Sequence, residues 1–221
     1  MKKYLPFILL GFGLLAVIFV VILVKNSKNT NTEDENEAAV PEIPVEQRPV
    51  VALIPTNNPA VPNSDGHWLD FKVQKINVLG AASMDYELIY STASGGQQGV
   101  PGTVKLDGND VDRMLLLGSE SSGKFRYDTG VEQGTMTIRF RDGKGKLIGK
   151  LSTMFHLQSD VTELTSVDGV FKYTLDKIAK GVFFVTMQTF KDPEAGMAVI
   201  SQNGYSVFAS DSKPHTGKIV Q

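Results

Sequence analysis

The sequence predicts an all-β fold, an antiparallel β-sandwich standing behind an N-terminal transmembrane helix. Three observations predict it. Tyr4 to Val24 is an unbroken uncharged run. Beyond Gly66, short stretches alternate apolar and polar residues with the two-residue period of half-buried strands. Turn residues interrupt those stretches at roughly ten-residue spacing, and no amphipathic helical periodicity competes with them.

The apolar run has 21 residues, and at 1.5 Å per residue it makes roughly 30 Å of helix, the thickness of the hydrocarbon layer. It is longer than the core of a signal peptide, and Val20-Val21-Ile22-Leu23-Val24-Lys25 offers no small-residue cleavage site. Residues 1–25 are therefore expected to be an uncleaved single-pass signal-anchor, with the membrane crossed by residues 4–24. Lys2 and Lys3 on one side face Lys25 and Lys28 on the other, a slight bias. The expected location is the cell membrane, with the C-terminal domain extracytoplasmic. Residues 26–65 are rich in Asn, Thr, Glu and Pro; Pro41, Pro44, Pro49, Pro55, Pro59 and Pro62 oppose helix. This stretch reads as a flexible stalk reaching up to ~100 Å, with Val50–Ile54 as a strand that could lie on the domain's edge.

Residues 66–210 are expected to form the domain and 211–221 a loose tail. Trp68 stands at the first strand. In 71–78 the apolar parity switches between Val73 and Ile76, predicting a bulge at Gln74-Lys75. Tyr86, Leu88 and Tyr90 alternate against Asp85 and Glu87. Ser94–Gly102 reads as a glycine-rich loop, Val104 and Leu106 as a short strand, and Phe125 and Tyr127 as another. The clearest signal is the hairpin from Gly134 to Leu157: Met136, Ile138 and Phe140 share one face, and Asp142-Gly143-Lys144-Gly145 reverses the chain. Leu147, Leu151, Phe155 and Leu157 share a face after it. Val182–Phe190 is apolar on both parities, which predicts a central strand covered on both sides. Asn203-Gly204 predicts a tight hairpin before Tyr205. About nine to eleven strands follow from this pattern, most simply as two sheets with the general architecture of immunoglobulin or fibronectin domains. A β-barrel, or two small sandwiches dividing near Gln158, are the alternatives.

From Gly66 onward there are 17 basic and 17 acidic residues, so no global field draws in nucleic acid. The chain has no cysteine, which removes disulfides, thiol chemistry and Cys-ligated zinc. Several motifs are incomplete. Gly118-Ser119-Glu120-Ser121-Ser122-Gly123-Lys124 has phosphate-loop spacing, but Phe125 replaces the magnesium-binding hydroxyl and a strand follows instead of a helix. Ser121-x-x-Lys124 lacks the helix that would put its two side chains on one face. His67, His156 and His215 fall in no motif, and His156 reads as a solvated or partly packed surface group. Asp85 and Glu87 share a strand face at a separation that glycoside hydrolysis uses.

Two groups remain as candidate sites. Asp107, Asn109, Asp110 and Asp112 supply oxygen ligands suited to calcium, without the closing Glu of a complete loop; no other cofactor is expected. Arg139, Arg141, Lys144, Lys146 and Lys150 make a basic ridge on the central hairpin, suited to an anionic partner, though such charges also guard exposed strands. The expected function is thus a non-enzymatic, membrane-anchored binding or assembly module. Its partner would be an envelope protein, an anionic polymer or lipid headgroups. An envelope glycan or peptide hydrolase and a passive spacer are the alternatives.

Overall fold

A computed structural model describes residues 40, 42–61, 63–211 and 213–220. Its strands all belong to one compact unit, Pro41–Gln221, and form an all-β domain of several antiparallel sheets. Fifteen strands are described: β1 (Val50–Thr56), β2 (Trp68–Gln74), β3 (Ser83–Ser91), β4 (Gln97–Lys105), β5 (Val111–Leu116), β6 (Gly118–Ser121), β7 (Lys124–Tyr127), β8 (Gln133–Arg141), β9 (Leu147–Ser159), β10 (Glu163–Thr165), β11 (Lys172–Leu175), β12 (Phe183–Gln188), β13 (Ile200–Gln202), β14 (Tyr205–Ala209) and β15 (Gly217–Ile219).

The central layer is a seven-stranded sheet ordered β13-β14-β12-β9-β8-β3-β4. Its β8–β9 hairpin is the one the alternation predicts. Met136, Ile138 and Phe140 are fully buried, and Asp142 closes the turn through its N–H to Lys146 O at 2.9 Å. One face of this sheet packs against a three-stranded sheet, β1-β2-β5. Val51 and Leu53 of β1, Leu69, Phe71 and Val73 of β2, and Leu115 of β5 meet Met84, Leu88, Phe155 and Phe208 there. The opposite face carries a third sheet, β10-β11-β15, over its β12–β14 end. Leu164, Tyr173 and Leu175 cover Phe184, Val207 and Ala209 in a second apolar cluster.

The apolar run at β12 is explained by this layering. Phe184 belongs to one cluster while Val185 and Met187 belong to the other. Asn203 and Gly204 both take positive φ, 54° and 77°, the geometry of a two-residue hairpin loop.

Several expectations need correction. The two-layer immunoglobulin-like sandwich gives way to three stacked sheets and a separate β6–β7 hairpin. A closed barrel is ruled out by the two free edges, β13 and β4. Division into two sandwiches near Gln158 fails because that residue lies inside β9, the long strand that bonds both β8 and β12. The expected transmembrane helix over residues 4–24 lies outside the described residues. Among the described residues no helix is long and apolar enough to cross a membrane, and helix is represented there by one 3-10 turn, Val45–Gln47. A single-pass signal-anchor protein at the cell membrane is therefore not supported, nor is a partnership that depends on that anchor.

Smaller differences follow from packing. Val50–Thr56, within the stretch read as stalk, is a core strand bonded along its length to β2. Gly217–Ile219, in the stretch read as tail, pairs with β11. Gln97–Lys105, read mostly as loop, pairs with β3 over nine residues. Being an edge strand, it tolerates Pro101, and the ring of Tyr86 lies over Gly102. No bulge reconciles Val73 with Ile76; β2 ends at Gln74, and Lys75 turns the chain at φ 55°.

Candidate ligand-binding cleft

At one end of the central sheet the chain leaves a cleft of about 400 Å³, within the size range of small-ligand sites. Four segments build it: Gly66-His67 before β2, the β7–β8 connection from Asp128 to Glu132, the end of β9 from His156 to Ser159 with Val161 just beyond it, and Phe183 at the start of β12. Backbone bonds lock these segments together. His67 O accepts the N–H of Leu117 at 2.9 Å, Leu117 O accepts that of Asp128 at 3.0 Å, and Glu132 O accepts that of Leu157 at 2.7 Å. Gly66, at φ 72°, occupies the left-handed region, and a Cβ there would overlap the ring of Phe183.

Three polar side chains of the cleft, His67, Asp128 and His156, are held by their neighbours. His67 lies flat on Tyr127, with ring centroids 4.4 Å apart. Burial pushes its imidazole below its ordinary value, opposed in part by the charge of Asp65. Asp128 Oδ2 accepts the hydroxyl of Tyr90 at 2.9 Å. That phenol is pushed well above its usual range, first by burial and then by its bond to the carboxylate. His156 Nδ1 is 2.8 Å from Thr165 O. A carbonyl only accepts, so Nδ1 carries the proton and, in the neutral ring, Nε2 keeps its lone pair. Val131, Leu157, Val161 and Phe183 form the apolar part of the lining, Glu132 adds a second carboxylate, and neither Lys nor Arg contributes to it.

His156 is therefore partly packed, one of the two settings its alternation allows. With Gln158 it docks the third sheet: Gln158 Oε1 accepts the N–H of Thr165 at 2.9 Å, and its amide donates to Glu163 O at 3.2 Å. These two side chains bond backbone groups of β10, the strand at the edge of its sheet.

The basic ridge is placed on the exposed face of the central sheet, but it is not a field of one sign. Arg139 pairs with Glu87 at 3.3 Å and Arg141 with Asp85 at 2.5 Å, both on the neighbouring strand. Lys150 stands beside Arg139 across the β8–β9 ladder. Asp142 Oδ1 accepts the backbone N–H groups of Lys144 and Lys146, which holds its carboxyl below the usual range. The paired arginines also occupy Asp85 and Glu87, the two carboxylates that suggested hydrolysis.

The calcium candidates do not converge. Asp107 accepts the N–H of Asn109 in its own turn, Asp110 accepts that of Lys75 at 3.0 Å, and Asp112 pairs with Lys72. Among the described residues no group of three or more His, Asp or Glu side chains is arranged to hold a metal ion. The GxxxxGK segment forms the β6–β7 hairpin, reversing at Ser122 and Gly123 with positive φ.

Sequence reasoning missed the cleft because its residues come from positions 66 to 183 and no spacing links them. Comparison with protein families, curated proteins and solved structures finds no match.

Proposed function

We propose that this domain is a ligand-binding module, not a catalyst, and that the cleft flanked by His67 and His156 is its binding site. The observation that carries this reading is the lining itself. Carboxylates, imidazoles and apolar side chains together line a concavity of about 400 Å³, the combination that orients a small ligand while burying its body.

The same geometry weighs against acid–base chemistry. The carboxyl that burial and its neighbour Asp112 push upward is Asp70, which lies on β2 beside Lys72 and outside the cleft. A general acid with a raised value belongs where substrate binds, and here it does not line the cleft.

A library of small polar fragments screened by ligand-observed NMR tests the proposal. Binders to the native chain should be lost in Val161→Trp, which fills the cleft from an apolar position in its lining, while the melting transition remains cooperative. Fragments that bind both chains equally would place recognition elsewhere and contradict the assignment.

A further inference from the structure

Taking the cleft as the binding site, we infer that its ligand is an organic cation: a primary ammonium or guanidinium group carried on an apolar body. The first argument is charge. Asp128 and Glu132 line the cleft and no Lys or Arg offsets them. His67 adds no positive charge at neutral pH, because burial favours its uncharged ring, and Asp65 lies two residues away.

The second argument is hydrogen-bond inventory. Asp128 and Glu132 present acceptors alone, and in neutral His156 the nitrogen left over from its bond to Thr165 is an acceptor. Tyr90, the donor nearest Asp128, is already used on it. The amide of Gln158 is partly engaged by β10, one N–H donating to Glu163 O and its oxygen accepting from Thr165. A lining whose fixed charges are the carboxylates of Asp128 and Glu132 disfavours carboxylate and phosphate ligands, which bring only acceptors. It suits ammonium and guanidinium groups, which bring only donors.

The third argument is shape. Val131, Leu157 and Phe183 stand beside the carboxylates, so a ligand with a charged head and a hydrocarbon body leaves neither end unmatched. Phe183 also brings an aromatic ring into the lining, and aromatic rings attract cations. The chemistry is shared by free amines and by the Lys or Arg side chain of a protein partner.

The test is a titration of the full chain, followed by 1H–15N NMR, with three molecules of similar body and different head: 2-phenylethylamine, 2-phenylethanol and phenylacetate. The amine should bind in the cleft about tenfold or more tighter than the alcohol, and phenylacetate should not bind. Glu132→Gln should weaken the amine several-fold and leave the alcohol unchanged. Blocked lysine and arginine amides in a parallel titration distinguish the sources: tighter binding than 2-phenylethylamine assigns a protein side chain, weaker binding a free amine. If the alcohol or phenylacetate binds the cleft as tightly as the amine, the cation assignment is overturned while the cleft remains a binding site. If none of the five molecules shifts a cleft resonance, both fall.

Discussion

His67 and Tyr127 lie face to face, their ring planes 5° apart and their centroids separated by 4.4 Å. The contact joins the residue before β2 to the end of β7 and positions His67 in the lining of the cleft. It also removes the imidazole from water, and that desolvation is the main reason its pKa lies below the ordinary 6.5.

A pH dependence of stability follows. In the unfolded chain His67 takes up a proton near its ordinary value of about 6.5, whereas in the folded chain it resists protonation. The unfolded state thus binds more protons between the two values, and stability is lost as pH falls from about 6.5 through the folded pKa. Thermal melts of the native chain and His67→Gln between pH 8 and pH 4.5 check this. The native chain should lose more stability on acidification than the variant, and parallel curves would count against the buried-imidazole reading.

Gly66 governs another part of the lining. Alanine there must adopt φ 72° and push Phe183 aside. Gly66→Ala should cost about 1–3 kcal/mol in urea unfolding and should weaken cleft binding more than a substitution of equal cost in the core. Unchanged binding in the variant would show that the position of Phe183 does not matter to the site.

The stretch before Gly66 belongs to the folded domain. Val51 and Leu53 are fully buried between the sheets, so Leu53→Ala should lose about 2–5 kcal/mol. A chain beginning at Gly66 should show no cooperative melting transition, because β2 would lose one of its two partners and the core one of its strands. A sharp transition in that shortened chain would restore the stalk reading.

Tyr205 donates to Asp168 Oδ2 at 2.6 Å while its ring stacks on Phe171. Burial, then the bond to the carboxylate, push its phenol up to about 12. A raised phenol stabilises the fold below its unfolded value of about 10 and ceases to do so as pH rises through 12. Tyr205→Phe should cost about 1–2 kcal/mol at neutral pH. It should also remove one late ionisation from the alkaline absorbance titration, and an unaltered titration would refute the assignment.

How much of this was legible in the sequence depends on how local each signal is. Met136, Ile138 and Phe140 announce their strand because the alternation is uninterrupted. Phe184 and Val185 announce two covered faces because adjacent strand residues point opposite ways. Asn203-Gly204 announces its hairpin because few other pairs accept two positive φ angles. By contrast β4 contains Gly99, Pro101 and Gly102, which read as loop, and only pairing with β3 makes them a strand. β1 reads as a short strand over Val50–Ile54 at the domain's edge; its continuation through Pro55, which sits opposite Leu69, shows only in the pairing with β2. The charged ridge was visible residue by residue, but its neutralisation was not: Arg139 meets Glu87 and Arg141 meets Asp85 only through the non-local pairing of β8 with β3. The cleft is the extreme case, since His67 and His156 become neighbours of one cavity only after the sheets have assembled.

The three histidines of the chain supply the most direct test of the cleft as the binding site. His67 and His156 line it, whereas His215 lies away from it, paired with Asp211 at 2.8 Å. Addition of 2-phenylethylamine at constant pH, followed through the imidazole Hε1 signals, should shift His67 and His156 together, in a saturable manner, and leave His215 in place. A shift confined to His215, or three signals that do not move, would contradict it.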